Sequence, residues 1–364
     1  MADNHVVLLG CGDVGPIHEP LDVYGKLAHA TLEAGDIRFA QVERVYSDRG
    51  ELGSQNDHGL LKPHMAAIFN HCGFDVVSVA SNHSLDFGEE ALLDSIAILR
   101  KNGIQTVGAG RNLQEACQPT FIKRNGVNVA FLAYCSVLRE GHAAGPNKPG
   151  VAPMRAHVRC EPLEYQAGVP PMVITTPYEE DLQVLVDTIA AAKKAADIVV
   201  LSLHWGIHYI PRMLADYQFT VAKVAFDAGA DLIFGHHAHA PKAIETFGDK
   251  VCFYSLGNFI LTTLAKSAEK MAIFSRRYGA PVDPEYPNLP QGRDAKRSLI
   301  AKAVLTRDGV KNVSFLPVLI DRQLRPEVLY QNDPRFDEAV KFMEWVSDGR
   351  RHKFSVVGDE VVVT

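Results

Sequence analysis

Five of the fifteen histidines, His204, His208, His236, His237 and His239, fall within residues 204–239, where an even spread would place one or two. They stand where apolar runs stop. Ile198 to Leu203 leads into His204-Trp205-Gly206, and Leu232-Ile233-Phe234 leads into Gly235-His236-His237-Ala238-His239. The same placement recurs at Gly12-Asp13 after Val6 to Leu9 and at Ser81-Asn82-His83 after Val76 to Val79, and Glu43 in Gln41-Val42-Glu43 is a further candidate. Open α/β sheets bind ligands at the carboxyl ends of their strands, so these groups are expected at one sheet edge. Two imidazoles two residues apart can reach neighbouring positions around a metal pair, and Gly235 is expected to let the backbone turn sharply into them. Imidazoles, carboxylates and an amide without thiolate suit Zn, Mn or Fe and disfavour Cu(I) and iron–sulfur clusters. A metal pair of that kind polarises a substrate oxygen and acidifies a bridging water. Each residue also has a plain reading. Asp13 could cap a helix or turn, Glu43 could lie on a strand surface, Asn82 could serve a turn, and His83 or His204 could be a satisfied core histidine. Their joint placement favours a site.

The elements that must position these groups follow from hydrophobic pattern. Short, β-branched apolar runs at Val6–Leu9, Val76–Val79, Val127–Tyr134, Ile198–Leu203, Leu232–Phe234 and Val251–Leu256 read as strands buried on both faces. Helical spacing covers 89–102, 179–195 and 214–228, with Gly103 and Gly229 as stops. Strands return at Leu299–Leu305 and Val313–Ile320, followed by a short helix near 335–347 and a terminal Val361-Val362-Val363. Strand and helix alternation predicts an α/β layered protein. Two Gly- and Pro-rich stretches, 139–178 and 262–297, break the rhythm. They are expected to be loop insertions that shape a substrate site within one domain spanning 1–364.

Composition narrows the classes. Thirty-seven Lys and Arg against 43 Asp and Glu leave a net charge of −6, which argues against a nucleic-acid partner. Six scattered cysteines without a CxxC pair read as reduced, mostly buried thiols. There is no basic n-region with a long apolar h-region at the start, and no apolar stretch of about 18–20 residues. The expectation is a cytoplasmic chain with no membrane partner, acting on a small-molecule or peptide-like substrate.

Seven segments carry a resemblance. Gly12-Asp13, Gln41-Val42-Glu43, SNHSLDFG (81–88), VGAGRN (107–112), HWG (204–206), GADLIFGHHAH (229–239) and YSLGNF (254–259) occur in the order found in the CapA family. The chain thus resembles the poly-γ-glutamate capsule-synthesis proteins, a branch of the calcineurin-like metallophosphoesterase superfamily. The resemblance extends over roughly 6–260 and, more loosely, beyond 298. It implies a four-layer αββα sandwich and one or two divalent metal ions. Asp13 and His239 would hold the first metal, Glu43 would bridge, and Asn82, His204 and His237 would complete the second. His83 would meet developing negative charge or protonate a leaving group, oriented by Asp86. Asn258 would help line the pocket. Departures are visible. Asp13-Val14-Gly15 lacks the imidazole of the superfamily's Asp-x-His motif, Ser84 replaces an acid, Gln41 replaces the usual Asn, and His208 stands where Glu is usual. His208 could supply the missing nitrogen or face substrate.

These readings converge on a metal-dependent hydrolase using metal-activated water, cleaving an amide such as a γ-glutamyl or peptide-like bond. Phosphoester hydrolysis on the same site is the alternative, since fold alone does not decide chemistry. Metal-dependent epimerisation and a non-catalytic part in poly-γ-glutamate synthesis are further alternatives. The lack of an evident anchor favours the enzyme over the capsule partner. Arg111, Arg155 and Arg159 are candidates for pairing with substrate carboxylates, or ordinary solvated charges.

Overall fold

The computed structural model describes residues 5–52, 59–166 and 168–364. The first of its two large sheets is built around Val6–Gly15. On one side this strand runs parallel to Ile37–Val42, then Val76–Ser78 and Gln105–Val107. On the other it runs antiparallel to Arg297–Thr306, beyond which lie Gly309–Ile320, Glu360–Val363 and Phe354–Val357. The second sheet has the order Ile244–Phe247, Lys250–Phe253, Leu232–His236, Ile198–His204, Val127–Cys135 and Thr120–Arg124. Its middle four strands are parallel.

Side-chain alternation sorts the residues of each strand between two layers. Val127, Val129, Phe131, Ile198, Val200, Leu232 and Phe234 face the first sheet and share its core. There Phe39 stacks on Phe131 with ring centroids 6.0 Å apart and meets Phe234 at 5.7 Å. Their neighbours Ala130, Leu132, Val199, Leu201 and Ile233 face outward and pack with Leu185, Ile189, Val221 and Ala222. Those last four belong to the helices Glu179–Ala195 and Asp216–Ala228. On the far side of the first sheet, Leu9 lies against Gly35. The helices Ala67–His71 and Gly88–Lys101 add Phe69, Leu92, Ile96 and Leu99 to the same core. The result is the expected helix, sheet, sheet, helix sandwich. Gly10 marks how closely the sheets approach, because a Cβ there would fall 2.5 Å from the Phe234 ring.

Two expectations need correction. The run Val251–Leu256 is not one strand. The chain leaves the second sheet after Phe253 and joins the first as Asn258–Leu261, parallel to Val6–Gly15. This crossing lies against Gly12, where a Cβ would fall 1.9 Å from the Gly257 carbonyl oxygen. The stretch 139–178 is also less irregular than its composition suggests. Ala156–Glu161 and Met172–Pro177 pair as an antiparallel ladder, largely exposed and so without the apolar alternation that betrays a strand. Residue 167 within it lies outside the described residues.

Candidate metal centre

The parallel strands of both sheets deliver their polar ends to one rim. Asp13 lies in the first strand beside a register irregularity, its N–H donating to the Gly257 carbonyl at 3.1 Å. Glu43 follows the second strand and is tied by its N–H to the Val14 carbonyl. Asn82 and His83 sit in the turn after Val76–Ser78, while His204 and His236 end two strands of the opposite sheet. His237 and His239 follow with φ of +86° and +58°. Left-handed backbone at two non-glycine residues costs on the order of 1–3 kcal/mol each and marks a segment held by its surroundings. The sharp turning therefore falls on these histidines. Gly235 serves another need, since a Cβ there would lie 2.1 Å from the Tyr254 carbonyl oxygen.

The side chains converge. His204 Nε2 lies 2.7 Å from Asn82 Oδ1 and 3.2 Å from His237 Nδ1. Glu43 Oε2 stands 4.0 Å from the same His204 nitrogen, and Glu43 Oε1 stands 3.8 Å from His239 Nε2. Asp13 Oδ2 is 3.6 Å from His239 Nδ1. Asp13, Glu43 and His204 each offer a ligand atom such that all lie within 4.8 Å of one another. Asp13, Glu43, Asn82, His204, His237 and His239 are all buried. Among the described residues, both Asp13 oxygens and Glu43 Oε1 lack a hydrogen-bond donor although imidazoles stand nearby, while Glu43 Oε2 accepts from the Ser81 hydroxyl at 3.0 Å. Two buried carboxylates left in this state are costly unless a cation joins them. Burial, and then the charge of Asp13, push the Glu43 carboxyl well above its ordinary range. Burial pushes His204 and His237 well below the usual imidazole value, with neighbouring imidazoles adding to it. Neutral imidazole is the ligating form. The donor set fits a divalent cation.

His83 stands beside this group. Its Nδ1–H donates to Asp86 Oδ2 at 2.7 Å, leaving Nε2 toward Asn82 Nδ2 at 3.2 Å and Glu43 Oε1 at 3.8 Å. Arg139 reaches Asp86 Oδ1 at 3.7 Å. Desolvation, with Arg44 as the next cause, holds the His83 ring well below its ordinary pKa.

The remaining candidates separate. His208 lines the cleft and packs on His237 with centroids 3.7 Å apart, placing it on the His237 side of the group. Asn258 is fully buried and stands behind the cleft wall. It accepts from His239 Nδ1 at 2.9 Å and donates to the Ala295 carbonyl at 3.0 Å, so it orients an imidazole. Arg111 is exposed in the turn before Leu113–Ala116 and is absent from the cleft wall. Arg155 pairs with Asp181 and Arg159 with Glu161. Where an imidazole would stand at position 15, the Arg44 side chain passes instead, 2.4 Å from where a Gly15 Cβ would be.

Sequence reasoning left His236 undecided. It is fully buried, its Nδ1 lies 3.3 Å from Asp13 Oδ1, and neither ring nitrogen has a hydrogen-bond partner among the described residues. Strand parity was the available signal, because His236 shares the inward face of Phe234.

The centre opens into a cleft of about 620 Å³. Glu43, His83 and His239 line it, and the stretch 262–297 supplies a wall through Lys266, Lys270, Phe274 and Tyr278.

The sequence profile of the bacterial capsule synthesis protein PGA_cap family matches residues 15–263. The PGA biosynthesis protein CapA of Bacillus subtilis (strain 168) is 34% identical over 194 residues, 53% of this chain and 44% of that protein. The capsule biosynthesis protein CapA of Bacillus anthracis is 30% identical over 206 residues, 57% of this chain and 44% of that protein. Each alignment thus spans less than half of the relative's length. Among solved structures, the calcineurin-like phosphoesterase YfkN from Bacillus subtilis superposes with a TM-score of 0.42 and 14% identity, over 94% of this chain and 98% of that one. With the profile matched over more than half of its length, the chain belongs to the bacterial capsule synthesis protein PGA_cap family.

Proposed function

We propose that this chain is a metal-dependent hydrolase that cleaves an amide bond of the γ-glutamyl or peptide-like kind. The observation that carries the reading is the pair of buried carboxylates, Asp13 and Glu43, facing imidazoles, with both Asp13 oxygens and Glu43 Oε1 lacking a donor among the described residues. In the proposed assignment Asp13 and His239 would hold one divalent ion, Asn82, His204 and His237 would hold a second, and Glu43 would serve both. Mn, Zn or Fe suits these ligands. Such ions, when bound, supply Lewis-acid polarisation and a water acidified toward neutral pH. The chain's own part is positioning and proton movement. Asp86 fixes the His83 tautomer so that Nε2 faces the cleft, where it meets charge developing on the substrate or hands a proton to the leaving group. The relatives named for PGA and capsule biosynthesis support a glutamate polymer or a fragment of it as substrate.

Phosphoester hydrolysis is the second reading. It is favoured by the cleft's charge, since Arg44, Arg139, Lys266 and Lys270 line it and Glu43 is its one carboxylate among the described residues. The test assays γ-glutamyl peptides and aryl phosphates in parallel, using metal-loaded wild type and His237→Ala. Turnover of the amide that disappears in the variant supports the first reading. Turnover confined to phosphates removes it, and inertness toward both after metal addition removes hydrolysis.

A further inference from the structure

The insertion 262–297 contains the helix Ala268–Tyr278, and one stripe of it faces the cleft. Lys270, Phe274 and Tyr278 are spaced by four residues, which in a helix places them one above another, and Lys266 stands four residues earlier, just before the N-cap Ser267. All four line the cleft. The stripe changes character along its length. At the C-terminal end Phe274 and Tyr278 meet Tyr209 edge-on at 4.8 and 5.0 Å, fastening the helix to the loop that carries His208. At the N-terminal end it carries two ammonium groups. Neither Lys266 nor Lys270 has an ion pair among the described residues, and Lys266 instead stands 5.9 Å over the Phe274 ring. Lys266 and Lys270 line the same cleft as Glu43, His83 and His239. Ser267 caps the helix by accepting the Lys270 N–H at 3.3 Å, so the two lysines flank an ordered turn.

In amide hydrolysis the negative charge that develops on the cleaved bond would be met at the centre, so a further negative group of the substrate is left for these lysines. From the stripe's placement we infer that Lys266 and Lys270 form a subsite for a second negative group of the substrate, a carboxylate next to the bond that is cleaved. They are specificity determinants and take no part in the reaction. This deepens the proposed hydrolase reading and rests on it for the site's location. A γ-glutamyl unit has the required chemistry, because its α-carboxylate remains free when its side-chain carboxyl forms the amide.

The test is binding, so that it stands apart from turnover. Isothermal titration of the metal-loaded full chain would compare γ-glutamyl-glutamate with its α-carboxamide analogue. Wild type is expected to prefer the carboxylate by about tenfold, shrinking with added salt as partly exposed ion pairs do. Lys266→Ala/Lys270→Ala should lose that preference while its circular dichroism spectrum and metal content stay those of the wild type, which reports an intact fold and centre. Lys270→Glu should reverse the preference. A wild type indifferent to the α-carboxylate, or a double variant that keeps the preference, overturns the inference. Discrimination without cleavage of any amide would retain the subsite and remove the hydrolase reading.

Discussion

Asp86 and Asn258 do the same work on different rings. Each is buried, each accepts from an imidazole Nδ1–H, and each thereby points a ring's Nε2 at the centre. His83 is the one expected to act on substrate. His83→Ala is therefore predicted to retain metal and lose about 10²–10⁴ in turnover, the usual worth of a positioned acid or base. Metal content and kcat on one preparation check this, and undiminished turnover with metal retained would remove the role. At this scale the sequence was legible where residue type and strand ending agree. Asp13, Glu43, Asn82, His83, His204, His237 and His239 come together as their motifs suggest. Asn258 was misjudged, because a sequence does not tell a polar side chain facing a cleft from one that holds a ligand from behind. His236 was underrated beside the more conspicuous His237-Ala238-His239. Arg111 had the right charge without the right position.

Between strand Ile198–His204 and helix Asp216–Ala228 runs the loop that carries His208 and Tyr209. Lys242 holds it. This lysine is buried, and its Nζ donates to the carbonyls of Ile210 at 2.6 Å and Met213 at 2.7 Å. Desolvation pushes its pKa down to about 7. Lys242→Met keeps the aliphatic bulk and strands both carbonyls, at a cost of about 1–3 kcal/mol for each such buried group. Urea unfolding monitored by tryptophan fluorescence should show the loss, and an unchanged midpoint would mean that the loop holds itself. No pattern in the sequence announces this pin, since a lysine three residues after His239 reads as surface charge. The helices at 88–101, 179–195, 216–228 and 336–347 were legible because their apolar faces repeat at helical spacing. The paired strands within 139–178 were not, because they bury too little.

The sandwich places one half of the centre on each sheet. Asp13, Glu43, Asn82 and His83 come from the first, and His204, His236, His237 and His239 from the second. The strand Asn258–Leu261, reached by a crossing that touches Gly12, ties the two together at the rim. A site shared between two packed sheets has little freedom to rearrange, because interiors at crystalline density transmit displacement instead of absorbing it. Among the described residues no helix is long and apolar enough to cross a membrane. Metal binding is the claim on which the functional reading depends, and elemental analysis tests it most directly. Protein incubated with Mn or Zn and desalted should retain one to two equivalents per chain. An Asp13→Asn/His237→Ala variant with an unchanged circular dichroism spectrum should retain none. A wild type that emerges free of metal, or a folded double variant that keeps its full complement, would contradict the account.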